Sequence, residues 1–468
     1  MNRIALSLIL IVISLASFFV PVGSYNDSSV WLFEALMIIS VSSFATYKEG
    51  IAEIKAVFFR PLFIFILAYI IVFFQSPIDY ILGYVDSYIR IGSPDLMPTA
   101  MRYALIGLNC FLLGYLLESF RTSKPKEDFF KTPIVSPKPF AFLSSLLVFL
   151  VLYLVPRSVL MGGYSNDMLT NSTIYNYLAS WANTILIAYI VIFTANAKQT
   201  HDYAGASVWQ FLKGIGLWQN INVLIYSIII LNVGDRGPLI ILFFSYYLSF
   251  VIVSKKKLSN IKILAGLIVA VMFTSILGET KQYRDNNTIW DRLTSVFEEK
   301  KATEKESFMP ATAQLAGSYG CLPLAIQMTD KNPVYDMGKN QIAGVVSAVP
   351  FAGRVVKLPE STSYRISEYA LGANFDFGLG TSCIADFYLD GGLFFIIIGM
   401  LLWGIVLRKF EVNMLTDNCS SFFSFCIAFY FLSHVFYIPR STVLSPFKYG
   451  LWMFVVLYLY MKLVGKKR

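Results

Sequence analysis
The feature that most limits how this chain can fold is a succession of long, almost charge-free apolar stretches that recur from residue 4 to residue 461. Hydrocarbon offers no water to a backbone N–H or C=O, so each stretch must satisfy its own backbone, as a helix does. A hydrocarbon core near 30 Å needs roughly 20 residues of helix. Windows of about that length fall at 4–20, 30–46, 61–76, 101–118, 139–155, 175–195, 215–232, 238–253, 263–278, 392–407, 421–438 and 449–461, twelve in all. The expected fold class is an all-α polytopic membrane protein of about twelve transmembrane helices. Helices one to nine would occupy 1–278, a large outside loop with short helices 279–391, and helices ten to twelve 392–468.

Charge settles the orientation. Only 14% of residues are charged against 56% hydrophobic, where a soluble protein carries roughly 25% charged residues. Basic residues exceed acidic ones, 38 to 29. With the N-terminus inside, the inside segments hold 21 Lys and Arg and the five short outside loops hold 6. That asymmetry follows the positive-inside rule and predicts both termini in the cytoplasm. No basic run interleaved with aromatics suggests nucleic acid as a partner. Arg3 and the run Ile4–Val20 have the outline of a secretory signal, but no small-x-small site closes it, so it reads as an uncleaved first span.

Inside the long outside segment, 311–328 is uncharged and about long enough to cross, with Gln314, Ser318, Gly320 and Pro323 near its middle, whereas 342–352 is too short. The pair reads as re-entrant or interfacial helices over a cavity, or as amphipathic surface helices. No internal repeat points to a transporter.

Histidine is limited to His201 and His434, and no HExxH, P-loop or GxSxG motif occurs. The first outside loop holds a single acid, Asp27, in place of a metal-binding pair. The chemistry is therefore expected to need no metal and no cofactor. Cys110, Cys321, Cys383, Cys419 and Cys426 form no CxxC. Cys321 and Cys383 share the outside loop, where they would either pair or stand as free thiols open to an impermeant reagent.

Arginine on the outer side is the conspicuous exception to the charge rule. Arg236 sits in the tight turn Gly234-Asp235-Arg236-Gly237-Pro238, Arg284 lies just past the ninth span, Arg440 follows Pro439, and Arg354 and Arg365 lie in the long loop. Guanidinium forks bind phosphate oxygens bidentately at every accessible pH, so converging arginines can stabilise a pyrophosphate leaving group as a metal would. The alternative is that they anchor at the interface or pair with Asp235, Asp285 and Glu368. If the ninth helix continues past the interface, Glu279 and Tyr283 share a face at i, i+4 with Thr280 and Arg284 beside them, a face that suits a sugar or a phosphate; the alternative is a frayed helix end, and Lys281 is a further candidate contact in the same stretch. The glycine-rich run 371–380 leads through Asp386 and Tyr388 to Gly391-Gly392. Asp386 is the candidate base for an attacking hydroxyl, with Tyr388 beside it. His434 is a core residue or a second base.

These residues resemble the Wzy-type O-antigen polymerases. The resemblance is carried by the GDRGP turn at 234–238, the KQYRD stretch at 281–285, and FGLGTSCIADFY at 377–388 followed by Gly391-Gly392. It implies a GT-C-like glycosyltransferase of the bacterial inner membrane, with its active site facing the periplasm. Such an enzyme polymerises oligosaccharide repeat units carried on polyprenyl pyrophosphate, moving the growing glycan to the nonreducing end of a new unit. Arg236 and Arg284 would hold pyrophosphate, with Arg440 assisting. Its partners would be the lipid-linked oligosaccharide, membrane lipids, a chain-length regulator and a flippase.

Two rivals remain. An O-antigen ligase would be expected to place a histidine in the large outside loop, and 279–391 holds none. A flippase or exporter needs charges along a conduit, whereas the spans hold few besides Glu34 and Glu118.

Overall fold
The computed structural model describes residues 2–47, 60–84, 91–117, 135–155, 173–233, 237–254, 307–309, 312–331, 334–349, 352, 356, 359–373, 375, 378–415 and 421–465. Helices and their connections make up all of this, with no strand among the described residues.

Helix starts follow local sequence. α1 (Arg3–Ala16) opens at Asn2 and α2 (Asp27–Ala45) at Asn26, each asparagine accepting a first-turn amide. α3 (Pro61–Ile81), α4 (Met97–Leu117) and α5 (Lys138–Leu154) carry Pro61, Pro98 and Pro139 in the first turn, where a missing N–H costs nothing. α6 is Thr173–Thr200. α7 (Val208–Ile215) starts with a reciprocal Ser207–Gln210 capping box and stops at Gly216, whose φ is 99°. α8 (Leu217–Val233) leaves that stop at a bend of 93°, and α9 (Gly237–Ser254) follows. α10 (Ala313–Ala316) runs through a 3-10 turn, Gly317–Gly320, into α11 (Cys321–Lys331). Then come α12 (Lys339–Val346), α13 (Thr362–Leu371), α14 (Cys383–Leu415), α15 (Phe422–Ser433) and α16 (Ser445–Gly465).

By length and composition, six helices among the described residues can cross a membrane, and seven if the bent pair α7–α8 is one span. The expected twelve is thus met in part. α1 with its 3-10 extension, α5 and α15 are apolar but shorter. The window 263–278 lies outside the described residues.

The described residues divide into two compact units, each assembled from separated stretches of chain. The first combines 1–123, 304–412 and 435–445. Its core is α3 against α4, with Leu62, Phe65, Phe73, Leu105 and Phe111 fully buried. α10, the 3-10 turn and α11 are also buried here, so 312–328 is an inner element of this unit and not a surface helix. The 3-10 turn Gly317–Gly320 divides the stretch, with α10 and the turn packing beside α3 and α11 beside α4. α12 differs, with Ile342, Val345 and the following Val349 exposed.

This unit also buries charge just beyond the ends of the apolar windows. Arg60 Nε lies 3.1 Å from Glu411 Oε1, and Tyr115 hydrogen-bonds Glu411 while accepting from Arg60 and, at 2.7 Å, from Arg408. Asp79, on the last turns of α3, accepts from Ser307 Oγ and Phe308 N. All these charged groups are buried. They escape a hydropathy count because each sits at the end of an apolar window, and pairing makes their burial tolerable.

The second unit combines 124–303, 413–434 and 446–468. α6 is its central helix, with Ile185, Leu186, Ile190 and Val191 buried. Short polar contacts lock its neighbours: Thr194 Oγ1 to Ser249 Oγ at 2.6 Å, Tyr226 Oη to Ala179 O at 2.9 Å, and Ser144 Oγ to Gln219 Oε1 at 3.1 Å. Lys198 Nζ donates to Met414 O at 2.8 Å.

Helices α4 and α14 meet backbone to backbone. A Cβ on Gly114 would lie 2.0 Å from Leu401 O, and one on Gly404 2.1 Å from Phe111 O. No rotamer relieves a clash with a carbonyl. Gly404→Val should therefore cost about 1–3 kcal/mol, seen as a lower midpoint of thermal unfolding in detergent. Gly23→Ala, with nothing within 4 Å of the new methyl, should leave that midpoint unchanged.

Candidate functional site
The site is built at the head of α14. Ser382 Oγ accepts the Ala385 amide at 3.3 Å and starts the helix, which carries Asp386, Tyr388 and Asp390 before it breaks at Gly391-Gly392. Both glycines are required. A Cβ on Gly391 would fall 2.1 Å from the Phe395 ring, and Gly392 has φ of +64°. The helix thus begins nine residues before the expected span entry, and the glycine pair is a hinge within it rather than its first turn.

The break decides what α14 can hold. A helix end leaves carbonyls without partners, and that of Leu389 accepts Asp336 N at 3.0 Å. Asp390 Oδ1 accepts Asn340 N at 3.1 Å in the first turn of α12, whose own N-cap, Gly338, has no side chain to offer. One turn earlier, Asp386 accepts from Thr362 Oγ1 at 2.6 Å and from Gln341 Nε2 at 2.8 Å. Two carboxylates at i, i+4 therefore tie α12 and α13 to one face of α14. Both are buried, and Asp390 Oδ2 makes no hydrogen bond among the described residues.

Aromatic rings and a cavity adjoin the acids. Tyr388 stacks on Tyr103 at 5.4 Å, presents its edge to Tyr335 at 6.1 Å, and has its hydroxyl 3.2 Å from Thr329 Oγ1. Arg365 is ion-paired with Asp336, which also accepts from Asn340 Nδ2 at 2.8 Å. A cavity of about 570 Å³ opens beside this pair, lined by Met328, Asp336, Pro359, Glu360, Arg365, Glu368 and Tyr369. Its volume suits a small-molecule ligand. With three acids to one arginine, its wall offers hydrogen-bond acceptors more than phosphate-binding charge.

Of the candidate residues, Asp386 and Tyr388 lie at the head of α14, and Arg365 on α13 pairs with the Asp336 whose amide docks on Leu389. Arg440 belongs to the same unit, on the 3-10 turn Ile438–Arg440, with its guanidinium 5.4 Å from the Tyr437 ring centre. Its charge reaches Cys321, whose Sγ is 3.8 Å from Leu379 O in the run entering α14. His434 caps the C-terminus of α15 in the second unit, buried, with Nδ1 2.8 Å from Tyr430 O. Arg236, Arg284, Arg354, Lys281, Tyr283 and Glu279 lie outside the described residues. Among the described residues, no three His, Cys, Asp or Glu side chains converge as metal ligands.

Sequence reasoning missed Asp336, Gln341, Thr362 and Asp390. Only Asp390 carried a signal, its four-residue spacing from Asp386, which predicts a shared helix face. The other three reach the site from remote segments with no motif of their own.

The family model for the O-antigen polysaccharide polymerase Wzy matches residues 4–468. The chain belongs to this family. As a Wzy-family protein it is a membrane-embedded polymerase of the glycosyltransferase type, acting on lipid-linked oligosaccharide repeat units. Neither the curated proteins nor the solved structures contain a match to it. The match covers both compact units, so the helices of the second unit, which carried no motif but the GDRGP turn and the KQYRD stretch, are as much part of the Wzy pattern as the loop.

The cysteines depart from expectation. Cys321 and Cys383 are free and buried, neither paired nor open to reagent. Burial pushes the Cys321 thiol up to about 12, against the opposing charge of Arg440. At pH 8 its thiolate is on the order of one in ten thousand. A variant keeping only these two cysteines should resist maleimide while folded and react at both thiols in denaturant. Labelling of the folded protein at the rate of an exposed thiol would contradict this placement.

Proposed function
We propose that this Wzy-family protein joins repeat units at the outer face of the bacterial inner membrane, with a GT-C-like arrangement, both termini in the cytoplasm and no metal. A hydroxyl at the nonreducing end of a new lipid-linked unit attacks the anomeric carbon of the growing glycan. The carbon–oxygen bond to polyprenyl pyrophosphate breaks, and the hydroxyl proton passes to Asp386. The leaving pyrophosphate takes its compensating charge from Arg236 and Arg284, with Arg440 assisting. Glu279, Lys281, Tyr283 and Arg354 supply further contacts to the substrate.

The observation that carries this reading is the setting of Asp386. Thr362 and Gln341 each donate to one of its oxygens, which orients the carboxylate and leaves lone pairs for a third donor, the acceptor hydroxyl. The adjoining cavity fits the acceptor sugar. Asp336, Glu360 and Glu368 can accept hydrogen bonds from its hydroxyls, and Arg365, neutralised by Asp336, is a donor rather than an anion trap.

The test supplies membranes containing the protein with labelled polyprenyl-pyrophosphate-linked units and resolves the products on a gel. Wild type should give a ladder, unaffected by chelators. Asp386→Asn should slow it by about two to four orders of magnitude, and Arg236→Ala should abolish it with the protein still in the membrane. Transfer of single units to a lipid A core would mark a ligase instead, and a strict Mg²⁺ requirement would remove the metal-free mechanism.

A further inference from the structure
Lys448 is a cation without a carboxylate partner among the described residues. It lies half-buried in the first turn of α16, with Nζ 5.6 Å from the ring centre of Tyr177, 5.5 Å from Tyr449 and 5.4 Å from Trp452. Tyr177 and Trp181, four residues apart on α6, both stack on Trp452, at 6.0 and 4.8 Å with interplanar angles of 18° and 13°. Ser180 Oγ donates to Tyr449 Oη at 3.1 Å and holds the two helices at this point.

An interfacial belt does not account for this group. Belt rings face lipid and a belt lysine extends toward water. Here Trp452 is only 5% exposed, and the ammonium lies over the rings instead of reaching away. Ring faces satisfy part of its charge, and its remaining N–H donors need an anion. Flat aromatic faces next to an ammonium match a sugar that carries a phosphate: the apolar C–H face stacks while the charge is met. The charge pattern of the sequence assigns both contributing segments, which follow 156–174 and 439–448, to the outer side.

A polymerase of lipid-linked units must hold two pyrophosphates, and they need different treatment. That of the donor departs and requires transition-state stabilisation, the work proposed for Arg236 and Arg284. That of the incoming unit stays intact and needs only ground-state binding, for which one ammonium suffices. We propose that Lys448, Tyr177 and Trp181, with the buried Trp452 backing their rings, form the subsite for the pyrophosphate and first sugar of the incoming lipid-linked unit. This rests on the polymerase reading above.

The test uses the full-length protein in phosphatidylcholine nanodiscs, following tryptophan fluorescence on titration with farnesyl pyrophosphate and with farnesyl-pyrophosphoryl-N-acetylglucosamine. Lys448→Met should weaken both probes roughly tenfold or more, with Lys448→Arg retaining most of the affinity. Trp181→Leu should weaken only the sugar-bearing probe. In the polymerisation assay Lys448→Met should raise KM for the lipid-linked unit while kcat stays within about twofold. Equal binding by wild type and Lys448→Met, or no binding by wild type, would overturn the subsite. So would loss of farnesyl pyrophosphate binding in phosphatidylglycerol nanodiscs, which would make this a phospholipid headgroup site. Lys448-dependent binding in a protein that makes no polymer would instead overturn the polymerase reading.

Discussion
Everything assembled around the head of α14 depends on the interruption at Gly391-Gly392. A continuous helix would keep the carbonyl of Leu389 for its own ladder and would leave no turn at which the 334–338 segment could attach. Because the helix breaks, that carbonyl takes Asp336 N, and Asp390 is left facing the first turn of α12. Asp386, one turn back, then collects Thr362 and Gln341. α12 and the head of α13 are thus tied to α14 by polar contacts, in contrast to the apolar packing of α3 on α4.

Those same bonds bear on chemistry. A carboxylate held by two donors loses the freedom to reorient, which favours its use as a base at a defined position. In the proposed mechanism the acid-rich cavity recognises hydroxyls and Arg236 and Arg284 meet phosphate charge, so the two demands of a lipid-linked sugar fall to different residues. Under the same proposal Lys448, which among the described residues meets rings rather than acids, takes a second pyrophosphate.

Buried charge is the other organising theme. Arg60, Arg408 and Glu411 share Tyr115 in the first unit, and Lys198 donates to a backbone carbonyl in the second. In a low-dielectric surrounding each would be costly alone. Paired, they pin helix ends whose apolar sides could otherwise slide along one another, since packing in lipid carries little directional preference. The price of such pinning is strict geometry, as the glycine contacts between α4 and α14 also show.

The sequence by itself determined that this chain is helical and membrane-embedded, because unbroken apolar runs admit no other solution for the backbone. It also marked the motifs of a Wzy-type polymerase, and it singled out Asp386, Tyr388, Arg365 and Arg440, all of which the first unit contains. Local signals sufficed there, since hydropathy and motif spacing are properties of contiguous residues. Tertiary structure alone decided that 312–328 is buried, that Cys321 and Cys383 stay unpaired, and that Gln341 and Thr362 hold Asp386 while Asn340 holds Asp390. It alone brought Lys448 onto Tyr177, some 270 residues earlier in the chain. Such pairings depend on which helices pack together, and helix packing is set by the complementary surfaces of distant segments, a quantity no local window contains.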